Sequence, residues 1–314
     1  MSDTLAIVLE KPEALSLRRL PLAAPGPQDV TVQTRWSGIS TGTERLLFSG
    51  RMPAFPGMGY PLVPGYETVG TVLEAPPDAA VRVGQSVFVP GASCFGEVRG
   101  LFGGAASHLV APASRVVPVA EGLGEQAIFL ALAATAYHAR VGVAAGGGDL
   151  IVGHGVLGRL LARLSVLDGG APPTVWERNV ARAGGAVGYE VVDPERDARR
   201  DYRTIFDVSG DGKILDALIA RLARGGEIVL AGFYDAPLAF TFPPAFMREA
   251  RLRVAAEWQP ADLHAVTGLV ESGRLSLDGL ITHRQPAELA ASAYPTAFND
   301  PSCLKMVLDW RACQ

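Results

Sequence analysis

Cysteine is scarce in this chain of 314 residues: Cys94, Cys303 and Cys313 are scattered and form no CxxC pair. That excludes a disulfide framework and makes each thiol a small packed or surface residue in expectation. Long apolar runs are missing as well, since no stretch of about 20 residues is uninterrupted enough to span a bilayer. The start, MSDTLAIVLEKPEAL, lacks a basic run followed by an apolar signal core, so a soluble intracellular protein without stable membrane insertion is expected. Nor is there an excess of charge of one sign. The 28 basic and 32 acidic residues leave a formal charge of -4, which supplies no net basic field for nucleic acid or an anionic membrane. Internal repeats and low-complexity linkers are absent too, which excludes a solenoid and a disordered chain.

What remains is apolar and turn-rich, with 48% hydrophobic residues, 36 glycines and 23 prolines. Such a chain buries a substantial core and is expected to divide into two domains that share a cleft. Up to about residue 121 it reads as short strands broken by glycine and proline: TLAIVLE, DVTVQTRWSG, YETVGTVLEA, QSVFVPG, ASHLVAP and RVVPV. A barrel-like or sandwich-like β domain follows from that spacing.

The pattern changes near Leu123. EQAIFLALAATAYHARV predicts a helix, and DLIV predicts a strand that passes through a glycine turn into a helix with Leu157, Leu160, Leu161, Leu164 and Leu167 on its apolar face. PTVWE, YEVVD, RTIFDVSG and EIVLAGFY predict further strands, VARAGGAV a short helix, and DGKILDALIARLARGG an amphipathic helix. The alternation predicts an α/β region with a doubly wound parallel sheet over 122–257. The tail, 258–314, carries helical and strand signals in LHAVTGLVESG, ELAASAYPTAF and CLKMVLDW and is expected to return to the first domain.

The sharpest local motif is Gly153-His154-Gly155-Val156-Leu157-Gly158, directly after DLIV. A diphosphate needs close backbone approach and the free amides of a helix start. Gly153 makes the tight turn, Gly155 removes a side chain beside the diphosphate, and Gly158 lets helix and sheet pack closely. Glu177, 24 residues after Gly153, is spaced to accept hydrogen bonds from the adenosine ribose hydroxyls and points to NAD as cofactor. Arg178 beside it leaves a ribose phosphate, and hence NADP, open. Ser209, Gly232 and Phe233 end the next strands and are candidates for the nicotinamide side, or simply turn and packing residues.

GISTGTE at 38–44, PLVPGYETVG, a β-rich first domain and a late dinucleotide unit occur in one order. That order resembles the medium-chain alcohol dehydrogenase superfamily over nearly the whole chain. The resemblance implies a GroES-like β-rich catalytic domain (1–121), a Rossmann-type nucleotide domain (122–257), the return segment, and a homodimer. Zinc-dependent relatives place a cysteine in a GIC segment and a histidine in a GHE segment. Here those positions hold Ser40 and Tyr66, followed by Glu67, and the cysteine quartet of the structural zinc loop is also missing. Two hydroxyls are poor substitutes for thiolate and imidazole, so no metal is expected. Ser40, Thr43, Tyr66 and Glu67 then become candidates for a proton relay during hydride transfer, Tyr66 as a donor to the substrate oxygen and Glu67 as a proton acceptor or an orienting group. The bland alternative is a loop fixed by Ser40 and Thr43 with Tyr66 packed over it. His154 suits the geometry of the cofactor loop, and His138 either a helix-face contact to the active cleft or a packed or surface position.

Longer runs, including WSGISTGTERLLFSG, MPAFPGMGYPLVPGYETVG and VFVPGASCFGEVRGLFGGAASHLV, are similar to a zinc-lacking branch that acts on bacteriochlorophyllides. This implies NAD-linked oxidation of a hydroxyethyl side chain to acetyl in bacteriochlorophyll biosynthesis, with transient contacts to neighbouring pathway enzymes. Phe48, Met52, Phe55, Met58 and Tyr60 form an apolar, aromatic stretch suited to a planar ligand. Arg45, Arg51 and Arg99 suit its peripheral carboxylates. Core packing and solvated surface are the plain alternatives for these two sets. A zinc-independent NADPH quinone or enone reductase, or a protein that binds dinucleotide or pigment without turnover, is the competing expectation.

Overall fold

The computed structural model describes residues 3–54, 56–143 and 147–313. The chain separates into two compact units, one formed by Met1–Ala131 with Leu280–Gln314 and the other by Leu132–Gly279.

The first unit is built on two sheets. One has the strand order Ala14–Pro21, Asp3–Lys11, Leu62–Val63, Arg99–Gly100. The other runs His283–Pro286, Met306–Asp309, Asp29–Ile39, Thr68–Glu74, Ser86–Val89, Val117–Pro118, with His108–Pro112 also paired to Asp29–Ile39. Alternation along Asp29–Ile39 buries Val30, Val32 and Thr34 while their neighbours are half exposed, as expected for a strand with one face on a core. The last strand resolves where the tail goes: Met306 pairs with Ile39 and Asp309 with Trp36, antiparallel. Trp310 is fully buried there, and its indole N–H donates to Ser37 Oγ at 2.8 Å.

The second unit holds a six-stranded parallel sheet in the order Glu190–Val192, Thr174–Trp176, Leu150–Val152, Tyr202–Asp207, Leu222–Leu230, Arg251–Val254. In chain order this is 3-2-1-4-5-6, so the direction of winding reverses beside Leu150–Val152, where doubly wound sheets open a crevice at the strand ends. Helix Val156–Leu167 follows that strand and buries Leu160, Leu161 and Leu164.

Two elements differ from the sequence pattern. EQAIFLALAATAYHARV is split into a 3-10 segment, Glu121–Phe129, and an α-helix, Leu130–Arg140. In DGKILDALIARLARGG only Leu215–Ile219 is α-helical, and the strand already begins at Leu222, which pairs with Tyr202. Gly225, at φ 72°, lies inside that strand's register shift, a conformation glycine takes without strain. Helix Pro260–Glu271 falls within the second compact unit, Leu132–Gly279, and the chain rejoins the first unit at Leu280. Leu263, Val266 and Val270 of that helix are buried. Its Asp262 also caps the Gln259 amide and bonds to His138 Nδ1 at 2.8 Å, which makes His138 a packing residue of that unit.

Candidate active site

GISTGTE and GYE meet because Asp29–Ile39 and Thr68–Glu74 are antiparallel neighbours, with Ser37 opposite Thr68. The Gly38 amide donates to the Glu67 carbonyl at 2.8 Å, and a Cβ on Gly38 would lie 2.1 Å from Glu67 Oε2. Glycine at 38 therefore makes room for the Glu67 carboxylate. Both Glu67 oxygens accept from Lys305 Nζ, at 2.8 and 2.6 Å, and the same ammonium donates to the Ile39 carbonyl at 3.2 Å. Glu67 and Lys305 are almost fully enclosed, 0% and 1% exposed, so this is a buried ion pair whose charges stay satisfied only together.

On the other side of the strand end, Ser40 Oγ and the Tyr66 hydroxyl share a 2.7 Å hydrogen bond, and Thr43 also bonds to Tyr66. The Tyr66 ring meets Phe102 edge-on at 5.5 Å. Burial raises the Tyr66 phenol above its ordinary value, the Glu67 charge raises it further, and the Ser40 and Thr43 hydrogen bonds offset part of this. The phenol therefore keeps its proton. A neutral hydroxyl pair of this kind is a poor donor set for zinc, and among the described residues no group of three or more His, Cys, Asp or Glu is placed to hold a metal ion.

Three participants were not singled out by sequence reasoning: Glu44, Tyr294 and Lys305. Glu44, 1% exposed, accepts from the Ser40 amide at 2.9 Å through Oε1 and from the Tyr294 hydroxyl at 2.7 Å through Oε2. Burial pushes its carboxyl up to about 7. The GTE triplet was in view, but its partners are distant in sequence and only the fold joins them.

In the second unit the glycine turn has the local geometry its motif demands. Gly153 sits at φ 106°. A Cβ on Gly158 would lie 1.9 Å from the Gly153 carbonyl oxygen, whereas one on Gly155 would meet nothing within 4 Å. Gly158 thus serves packing, and Gly155 keeps open the space in front of the helix that begins at Val156 and Leu157. The His154 imidazole is turned away from that space: Nδ1 is 2.6 Å from the Arg182 carbonyl and Nε2 is 2.9 Å from the Tyr189 hydroxyl. Burial lowers its pKa to about 4, so the ring is neutral. Arg159 closes the same region by donating to the carbonyls of His154, Arg182 and Gly184. Glu177 accepts from the His154 and Asn179 amides, at 3.2 and 2.8 Å, and is fixed beside the turn, while Arg178 is exposed.

The neighbouring strand ends are tied by Asp207, which accepts from the Ser209 amide, the Ser209 hydroxyl and the Tyr234 hydroxyl. The Ser209 hydroxyl is thereby committed to its own turn. Gly232 packs so closely on this loop that a Cβ would lie 3.3 Å from the Gly210 amide nitrogen, and Phe233 beside it is 40% exposed.

The proposed planar-ligand stretch is not gathered as one surface. Met52 is in the core; Phe48 packs on it with ring centroids 6.3 Å from Tyr294 and 5.7 Å from Phe298. The Tyr60 hydroxyl donates to the Leu47 carbonyl, Met58 packs partly on the core, and Phe55 lies outside the described residues. Arg45, Arg51 and Arg99 are exposed, with the Arg99 guanidinium against Gly59.

A β-rich unit closed by its own C-terminal strand, joined to a doubly wound dinucleotide sheet, defines the alcohol dehydrogenase class. Residues 26–121 match the alcohol dehydrogenase GroES-like domain. The chain is 59% identical to the 2-desacetyl-2-hydroxyethyl bacteriochlorophyllide A dehydrogenase of Rhodobacter capsulatus over 98% of this chain and 99% of that one. It is also 59% identical to the protein of the same name from Cereibacter sphaeroides, with the same coverage. An alcohol dehydrogenase of Escherichia coli solved with NADH has the same fold, at TM-score 0.84 and 21% identity over 98% of this chain and all of that one. The chain belongs to the medium-chain dehydrogenase/reductase family, in the branch of these bacteriochlorophyllide dehydrogenases.

Proposed function

We propose that this protein is an NAD-linked dehydrogenase that oxidises the 3-(1-hydroxyethyl) substituent of a bacteriochlorophyllide to 3-acetyl without catalytic zinc. The observation that carries the reading is the Ser40–Tyr66 hydroxyl pair, with the Glu67–Lys305 pair behind it, standing where zinc-dependent relatives have ligands. NAD supplies the hydride acceptor. The turn from Gly153 to Gly158, with the helix start at Val156 and Leu157, would hold the diphosphate, Glu177 the adenosine ribose, and Ser209, Gly232 and Phe233 the nicotinamide side.

The hydroxyl proton must leave as the carbonyl forms. Tyr66, whose phenol stays protonated, donates a hydrogen bond to the substrate oxygen and holds it in place. Ser40 and Thr43 fix the direction of that phenol, and the hydroxyl proton passes to solvent water as the carbonyl forms. Of the two roles expected for Glu67, the orienting one is retained, because both its oxygens already face Lys305. Arg45, Arg51 and Arg99 meet the substrate's peripheral carboxylate, and Met58 covers part of the macrocycle.

The enzyme acts as a homodimer. Arg251–Val254 is the edge strand of the parallel sheet, and Leu252 and Val254 are exposed beside Phe242, Phe246 and Met247, a surface suited to self-complementary pairing. Transient contacts with the enzymes before and after it in the pathway fit a product that is handed on.

The test incubates the purified, metal-stripped protein with NAD and the 3-hydroxyethyl bacteriochlorophyllide, and follows mass and absorbance. Formation of NADH with loss of two hydrogens from the pigment is the expected result. NADPH consumption with a quinone or enone alone would replace this reading with a reductase, and tight binding without turnover would replace it with a binding protein.

A further inference from the structure

We propose that Glu44 is a positioning residue, which sets the Ser40–Tyr66 hydroxyl pair through the Ser40 main chain and alters that pair according to its own protonation state. The inference rests on the proposed function for its catalytic meaning, while the coupling itself is a property of the first unit alone.

Glu44 stands in the first turn of the short helix Thr43–Ser49, four residues beyond Ser40, and its side chain folds back onto the loop it follows. Each oxygen faces one donor: the Ser40 amide at Oε1 and, from helix Ala290–Asn299, the Tyr294 hydroxyl at Oε2. The charged groups that act on it from the packed elements are Glu67, which opposes its ionisation, and Lys305, which favours it. Lys305 gives its hydrogen bonds to Glu67 and to the Ile39 carbonyl.

The two donors differ in what they can do when Glu44 takes up a proton. An amide N–H only donates, so the proton resides on Oε2, and the Tyr294 hydroxyl turns from donor to acceptor. The Ser40 amide then loses its charge-assisted partner, and the loop that carries Ser40 Oγ and Thr43 is held less firmly. Ionisation reverses this: it tightens the Ser40 loop and adds a negative charge that favours the protonated Tyr66 phenol, since Glu44 raises the Tyr66 pKa. Glu44 thus acts on the phenol without touching it.

Two readouts test this on the full chain. The first is infrared titration of the ligand-free protein across neutrality, with Tyr66→Phe identifying the Tyr66 ring mode. The expected result is loss of a protonated-carboxyl band together with a shift of the Tyr66 mode, both abolished in Glu44→Gln. In Tyr294→Phe the transition moves to higher pH, because a hydrogen bond to the carboxylate is gone. The second is the pH profile of NAD-linked turnover. The wild-type transition near neutrality flattens in Glu44→Gln, kcat falls by about tenfold as one charge-assisted hydrogen bond is lost, and KM for NAD is unchanged. A Tyr66 mode that ignores the carboxyl titration, a transition unmoved by Tyr294→Phe, or a wild-type pH profile in Glu44→Gln overturns the proposal. If the wild-type chain turns over no hydroxyethyl substrate, the proposed function fails, and the infrared coupling still decides the role of Glu44.

Discussion

A carboxyl group enclosed with two hydrogen-bond donors makes folding depend on pH. The folded-state value of Glu44, about 7, lies above its ordinary 4.5, so between the two the folded chain holds a proton that the unfolded chain has released. Stability is therefore highest below the ordinary value and falls as pH rises through the folded one, by about 3 kcal/mol over the window. Denaturant unfolding of wild type and Glu44→Gln at about pH 5 and about pH 8 measures this, with the variant losing less on the way up. The Glu67–Lys305 pair behaves differently. Lys305→Met leaves a buried carboxylate unpaired and costs about 3–5 kcal/mol, whereas the double change Glu67→Gln with Lys305→Met costs less than the sum of the two single changes. Tyr66→Phe removes only a hydroxyl and is expected to lower kcat by about a hundredfold or more, leaving the affinity for NADH intact in a fluorescence titration. Lys305 and Tyr294 escaped the sequence because CLKMVLDW and ELAASAYPTAF read as an ordinary strand and helix. Their partners are 238 and 250 residues away in the chain.

At the scale of elements, the glycine turn was legible because each requirement is local: a positive φ, an open space and a close helix crossing fall within six consecutive residues. Two substitutions separate those requirements. Gly158→Ala forces a methyl to 1.9 Å from the Gly153 oxygen, so the second unit loses stability, by about 1–3 kcal/mol for overpacking, and nucleotide binding with it. Gly155→Ala meets nothing within 4 Å and keeps the melting temperature, while calorimetry shows weaker dinucleotide binding because the methyl occupies the ligand's approach. Equal thermal stability of the two variants would contradict the division of roles. The boundary of DGKILDALIARLARGG was not legible, since Leu218 and Leu222 continue the helical apolar spacing although the chain has already turned into a strand. The glycine pair at 225–226 marks that strand's irregularity, whereas in the sequence it reads as the end of the helical run that precedes the strand. The substrate stretch shows the same limit: Phe48 and Tyr60 look like a ligand platform in sequence, and tertiary contacts draw both onto the core.

For the whole molecule, the order of a β-rich segment, a dinucleotide sheet and a return was readable from the alternation of strand and helix periods. Which sheet received the last strand depended on pairing between residues some 270 positions apart, which no periodic signal encodes; Met306 opposite Ile39 answers it. The proposed dimer also belongs to this scale. A lysine in place of Val254, on the open edge strand, is expected to shift sedimentation from dimer to monomer while leaving the circular dichroism unchanged.

The central claim is direct hydride transfer from the hydroxyethyl carbon to NAD in a site without zinc. Deuterium placed on that carbon, followed by mass analysis of the cofactor after a single turnover with chelated protein, tests it most directly. The label is predicted to appear in the reduced nicotinamide, with turnover slowed by a primary isotope effect. Label recovered in solvent, or turnover that stops on chelation and returns with zinc, would contradict the account.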